Sequence, residues 1–365
     1  MNDNIYIMWL SLIDGLGIKK QLQLLESFSS VKEIFTAPRQ LLRTVEGISE
    51  KIIDNILRAQ DIDLIKKYHE QLEQAKVRFV TIKEKEYPSL LKEISTPPVG
   101  IYVKGDLPSD DLPKVGIIGA RRSSEYGRNV SYSLSKDLAR NKVVVVSGMA
   151  RGIDSMSHRG ALDAKGYTIA VLGFGSNECY PIENRNLMNE ITKNGCLISE
   201  YPPNTTPLPA YFPARNRIIS GLSRAIIVVE AAEKSGTLIT VNEAMLEGRD
   251  IMAVPGNITS KLSNGTNELI RDGAIPVSNY RDVLYELGID NNKTNLLKHN
   301  EESVSNNFSK EEKLIYDCLG SNPITVDELV IKVKSNAQTV NYLLTILEIK
   351  GYIQKLPGQR YICTL

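Results

Sequence analysis

From Val115 onward the chain alternates short, wholly apolar runs with longer stretches of helical periodicity. The runs are VGIIGA, KVVVVSG, TIAVLG, CLISE, AIIVVEA and DIMAVPG, each rich in aliphatic residues and each closing at or beside Gly, Ser or Glu before a helix begins. A strand with one wet face alternates apolar and polar residues; unbroken apolar runs are what a parallel sheet covered on both faces requires. The pattern predicts a doubly wound, mostly parallel α/β domain over 114–288.

The flanks read differently. In 1–80 a weak repeat, IDGLGIKKQLQLLESF and VEGISEKIIDNILRAQ, sets a glycine turn at Gly15 and Gly47 ahead of an apolar-periodic helix. That predicts a helical domain of paired helix-hairpin-helix units. The Gly15-Leu16-Gly17 turn could hold a phosphate on its backbone N–H groups, or the unit could be purely structural or dimerising, since acids and bases nearly cancel there. Residues 81–113 carry five prolines and read as a connection; 289–310, polar and Asn/Ser-rich, read as a flexible linker. In 311–365 three helices precede two short strands around a Pro-Gly turn, the order of a winged helix. Val340, Leu343, Leu344 and Leu347 stripe its third helix. Six acids balance six bases there, leaving DNA reading open against protein contact or packing.

Composition narrows the function. At 365 residues and 42% hydrophobic content the chain supports two or three ordinary domains. A net charge of +1 excludes a generally basic coat, so an anionic partner must be held by a local patch. Four separated cysteines and three separated histidines predict no metal site, redox motif or disulfide framework, in keeping with a reducing cytosol. The apolar run IYIMWLSLI is too short to span a membrane and lacks a basic flank. Arginine is regional: ten of the 18 lie between Arg121 and Arg224, among only four lysines, while elsewhere lysine leads 22 to eight. Guanidinium forks suit phosphates and base edges, which predicts an oriented nucleic-acid or phosphate site in the α/β domain.

Ligands of open parallel sheets bind at the carboxyl ends of the strands. There, GARRSSEYG offers Gly119, Arg121 and Arg122, with Ser123 or Ser124 to cap a helix and offer a hydroxyl to phosphate. SGMARGIDSMSHRGAL offers Gly148, Arg151 and Gly152, with Asp154 able to cap the helix that carries His158. His158 acts on a substrate or bonds a neighbouring loop. GFGSNECYPIEN opens at Gly173 and Gly175, and SGTLIT presents Ser235, Gly236 and Thr237 as an anion nest or a plain helix cap. In FPARNRIISGLS, Arg215 and Arg217 face a ligand or pair with Glu230 or Asp154. No G-x-G-x-x-G, P-loop, H-E-x-x-H or G-x-S-x-G is present, so no dinucleotide or other cofactor is expected.

These motifs, in this order over 115–277 and with LISEYPP and AVPGN…NELIRDGA between and after them, resemble the DNA-processing protein A (DprA/Smf) family. The resemblance implies a Rossmann-like domain that binds single-stranded DNA, forms a homodimer, and helps load the RecA recombinase in natural transformation, without catalysing a reaction. By motif position it puts Arg121 on the phosphate backbone and Phe212 against a base, with Arg215, Asn216 and Arg217 as pocket wall; Phe212 could instead join the core. The chain departs from the family's pattern at Pro209 and Ile182, where relatives often carry lysine, and mildly at Asn177 and Ser157. Two other readings stay open: a nucleotide phosphoribohydrolase of related fold, with Glu243 six residues after Thr237, and a nucleotide-sensing regulator signalling through the winged helix.

Overall fold

Nine strands form one sheet, and its order places the first parallel strand in the interior, at the middle of the seven parallel strands. The strands are β1 (Val77–Thr81), β2 (Gly100–Gly105), β3 (Lys114–Ile118), β4 (Val144–Ser147), β5 (Thr168–Leu172), β6 (Gly195–Ser199), β7 (Ala225–Val228), β8 (Asp250–Ala253) and β9 (Ile275–Pro276). They lie in the order β1-β2-β6-β5-β4-β3-β7-β8-β9, with β3 to β9 all parallel. The strand order therefore reverses between β3 and β7, where a doubly wound sheet opens a crevice. The computed structural model describes residues 3–289, 308–319, 323–356 and 358–363. Most of the polar stretch expected as a linker, 290–307, lies outside the described residues.

The apolar runs form strands because both faces are covered. Along β3, Val115 and Ile117 enter the core beneath the helices Glu125–Arg140 and Ile153–Asp163. Ile118 faces the opposite core, with Ile218 and Ile219 of the helix Tyr211–Gly221 and Val241 of the helix Thr237–Leu246. The central strands are buried throughout.

The sheet is wider than the apolar runs predict. β1 and β2, in the stretch of chain running up to and through the prolines, pair antiparallel with each other and β2 with β6, and Phe79 and Tyr102 stand opposite with ring centroids 4.8 Å apart. Their prolines lie between the strands, at 88, 97 and 98, where no ladder hydrogen bond is needed.

The N-terminal helices enclose a core of their own around Ile7, Trp9, Leu24, Ile34, Ile53 and Ile56. Both repeat glycines take positive φ, Gly15 at 73° and Gly47 at 74°, ahead of the helices Ile18–Ser27 and Glu50–Arg58. The Asn55 side chain, on the second of these helices, donates to the Asp14 carbonyl at 2.9 Å and so ties the first turn to the second unit. In the C-terminal part, the helices Lys310–Cys318, Val326–Val333 and Ala337–Ile349 pack on a small sheet of β10 (Ile324–Thr325), β11 (Ile353–Leu356) and β12 (Arg360–Cys363). The striped residues Val340, Leu343, Leu344 and Leu347 are part of its core. No helix among the described residues is long and apolar enough to cross a membrane.

Candidate nucleic-acid interface

The loops that leave β3 and β7 part at the switch point and frame a cleft of about 590 Å³. They are tied together at its base: the Ala120 N–H donates to the Glu230 carbonyl at 2.8 Å and the Ile153 N–H to the Ala120 carbonyl at 3.4 Å. The buried Glu230 carboxylate accepts from the backbone N–H and the hydroxyl of Ser124, whose oxygen in turn accepts from the Gly127 N–H at 3.0 Å. Glu230 thus serves the start of the helix Glu125–Arg140, where negative charge is favoured, and pairs with neither Arg215 nor Arg217. Of the two candidate caps, Ser124 is the one used. Ser123 is buried, and its hydroxyl has no partner among the described residues.

Arg215 and Arg217 belong to one helix, and residues two apart on a helix point about 200° away from each other. Arg215 turns inward to the cleft floor, 4% exposed, and donates to the carbonyls of Gly148, at 2.6 Å, and Val171. Burial pulls its pKa down to about 10, the nearby Asp154 opposing the shift. Arg217 turns to the other side and meets Glu200, one residue past β6, with bonds of 2.6 and 2.7 Å. Its side chain is 11% exposed and outside the cleft lining, so it holds the helix to the β6 loop. Tyr201 stacks on Tyr211 at 4.2 Å across the same junction.

Phe212 has two surroundings. It packs against the small core of Phe174, Leu172 and Leu187, with the Phe174 ring 6.4 Å away, and it lines the cleft. The exposed Arg121 guanidinium sits 5.8 Å from its ring centroid, a cation–π distance, and the half-exposed Tyr180 ring lies 5.5 Å away. Neither Tyr180 nor Glu200 was among the expected site residues; an aromatic in a loop at a strand's carboxyl end was the available signal for Tyr180.

Among the predicted residues, the cleft brings together Arg121, Arg122, Phe212, Arg215, Asn216, Ser235, Gly236 and Thr237. The others support it or stand outside its lining. Gly148 makes room for Arg215: a Cβ there would lie 2.7–2.8 Å from the guanidinium. Gly173 lies under Tyr211 and Phe212, and Gly175 donates to the Thr205 carbonyl at 2.8 Å with the Pro202-Pro203 backbone against it. Arg151 is exposed and paired with Glu183. The Ser235 hydroxyl accepts from the Thr237 N–H at 3.2 Å, so the hydroxyl caps its own turn. Pro209 lines the cleft, and Ile182 is 66% exposed at a position where a lysine would have reached solvent.

His158 is fully buried, its Nδ1 2.7 Å from the Thr168 hydroxyl, and desolvation followed by the Arg215 charge pushes its pKa down to about 3. It stays neutral and outside the cleft lining, which is the hydrogen-bonding role, directed to a strand rather than to a loop. Asp154 does not cap its helix; its carboxylate accepts from the Ala150 N–H at 3.3 Å, and burial raises its pKa against the pull of Arg215.

Residues 78–288 match the family described as DNA recombination-mediator protein A, and residues 301–359 match the DprA winged helix domain. The DNA processing protein DprA of Bacillus subtilis is 42% identical over 212 residues, 58% of this chain and 71% of that protein. Protein Smf of Synechocystis sp. is 30% identical over 98% of this chain and 97% of its own length. The X-ray structure of DprA from Streptococcus pneumoniae aligns with a TM-score of 0.67 at 34% identity, over 78% of this chain and 98% of that one. DNA processing protein A from Helicobacter pylori, studied for its single-stranded DNA binding mode, aligns with a TM-score of 0.52 at 31% identity, over 57% of this chain and 95% of that one. With a crevice at the switch point of a doubly wound sheet, a winged helix after it, and a relative that aligns over nearly its whole length, this chain belongs to the DNA recombination-mediator protein A family, also called DprA or Smf.

Proposed function

We propose that the chain binds single-stranded DNA in the cleft between the β3 and β7 loops, works as a homodimer in the cytoplasm, and assists loading of the RecA recombinase without itself breaking or making bonds. The observation that carries the reading is Arg121 over the cleft-facing ring of Phe212. A cation for the phosphate backbone stands beside an aromatic face for a base, the combination by which single strands are held at roughly 1–3 kcal/mol per stacked base. Unstacked bases are accessible only in a single strand, so the cleft favours it over duplex. The Helicobacter pylori relative, characterised for single-stranded DNA binding, supports the same ligand class.

The ribohydrolase reading has less to stand on. Glu243 is not among the residues lining the cleft, and the one histidine near it is buried and neutral. The test is fluorescence anisotropy of a labelled oligo-dT against a matched duplex across a salt series. Tighter, salt-sensitive binding of the single strand is expected; equal affinity for both would count decisively against the reading. RecA loading is tested separately, by filament formation on coated single strands with and without the protein, where no acceleration would remove that part.

A further inference from the structure

The cleft floor holds two opposite charges that do not close on each other. Asp154 is 7% exposed and Arg215 4%, and both line the cleft. Among the described residues the two form no ion pair within 4.0 Å, although each feels the other's charge. Two of Arg215's bonds go to the Gly148 and Val171 carbonyls, and its Nε has no partner, although a guanidinium has five N–H donors. The Asp154 carboxylate accepts from the backbone N–H of Ala150 at 3.3 Å, fewer than the roughly four acceptor sites a carboxylate has. A buried acceptor and a buried donor, each with spare capacity and both bordering one cavity, call for a ligand edge that carries both kinds of group.

A phosphate does not fit that demand. It offers acceptors only and would bring negative charge against Asp154 in a desolvated floor. The edge of a nucleobase does fit, since each base sets a ring or amino N–H beside an acceptor. Resting on the single-strand reading, we propose that the floor reads the hydrogen-bonding edge of one nucleobase. The Asp154 carboxylate accepts from its N–H, and Arg215 donates to the acceptor beside it. The bound nucleotide is thereby oriented: base inward past Phe212, phosphate outward toward Arg121 and Arg122. Asp154 is then a residue that positions and reads the base, in addition to its place at the foot of its own helix.

The experiment compares the full-length protein's affinity for oligo-dT with that for an oligonucleotide of equal length in which thymine is replaced by 2,4-difluorotoluene. That analogue keeps the shape, the ring face and every phosphate, and removes the hydrogen-bonding edge. Binding is expected to weaken about tenfold or more with an unchanged salt slope. Asp154→Asn, its fold checked by thermal melting, is expected to shrink the difference. Equal affinity of the unaltered protein for both oligonucleotides would overturn the proposal, with no dependence on whether the variant folds. A folded Asp154→Asn protein that separates the two as sharply as the wild type would overturn it as well. Failure of the underlying single-strand reading looks different: oligo-dT itself would not bind, or would bind with no contribution from Arg121.

Discussion

The rim and the wall of the cleft use the same residue type for opposite purposes. At the rim, Arg121 and Arg122 are exposed, and Arg121 lies against the face of a single ring. In the helix that walls the cleft, Arg215 is committed to two carbonyls and Arg217, which lies outside the cleft lining, to Glu200. A cation presented to solvent can displace the cations condensed on a phosphate backbone, whereas a cation already desolvated and bonded has little left to offer an incoming anion. Arginine density therefore points to the cleft, and burial then divides these arginines into those exposed at its rim and those committed to the protein's own carbonyls and carboxylate; under the single-strand reading the phosphate contact falls to the rim.

The division can be broken most visibly in the wall. Arg217→Ala removes one partner of a mostly buried, two-bond ion pair and leaves Glu200 uncompensated, so urea melts should show a loss of about 2–3 kcal/mol. Adding Glu200→Ala should cost much less than the sum of the two single changes, because the pair acts as a unit. Additive losses would separate the two side chains and undo the account of the helix's anchorage.

Phe212, standing between rim and wall, is expected to show part of each behaviour. Phe212→Leu keeps apolar volume against Phe174 and loses the ring face in the cleft. Stability should fall by about 1 kcal/mol and oligo-dT binding by roughly 1–3 kcal/mol. A lowered melt with unaltered binding would assign the ring to the core alone.

Acid should separate the regions too. His158 has a folded-state pKa of about 3 against 6.5 when free, so between those values the unfolded chain takes up a proton the folded one refuses. Its contribution to stability is present above about pH 6.5 and is lost as pH falls toward 3, by at most about 1.4 kcal/mol per unit. Asp154, raised by burial, works in the opposite direction above its usual range and blunts the slope. Replacing His158 with Gln should flatten the acid side of a stability-versus-pH curve; an unchanged curve would show that the buried imidazole is not its source.

The parallel strands were legible because a short, unbroken run of aliphatic residues closed by Gly, Ser or Glu can bury all its side chains only in a sheet covered on both faces. β1 and β2 were not, since Val77–Thr81 contains Arg78 and the prolines after it dominate the local pattern, while pairing to β6 is a long-range choice. In the cleft lining, Arg121 and the Ser235–Thr237 turn were legible from their places after strands, and Phe212 from its place in the family's motif. Glu200 as the partner of Arg217 was not, because it is set by which side of a helix faces the β6 loop. The 200° between Arg215 and Arg217 was nonetheless readable from their spacing, and it alone forbids a shared role.

The central claim, that exposed rim arginines carry the phosphate contact while wall arginines do not, is tested most directly by the salt dependence of oligo-dT binding in Arg121→Ala and Arg217→Ala. Arg121→Ala is predicted to lower affinity and to reduce the slope of log K against log salt by about 0.7, one single-strand phosphate contact, at unchanged stability. Arg217→Ala, measured where it is folded, should leave the slope as it was. A slope reduced by Arg217→Ala and untouched by Arg121→Ala would contradict the division of the cleft into rim and wall.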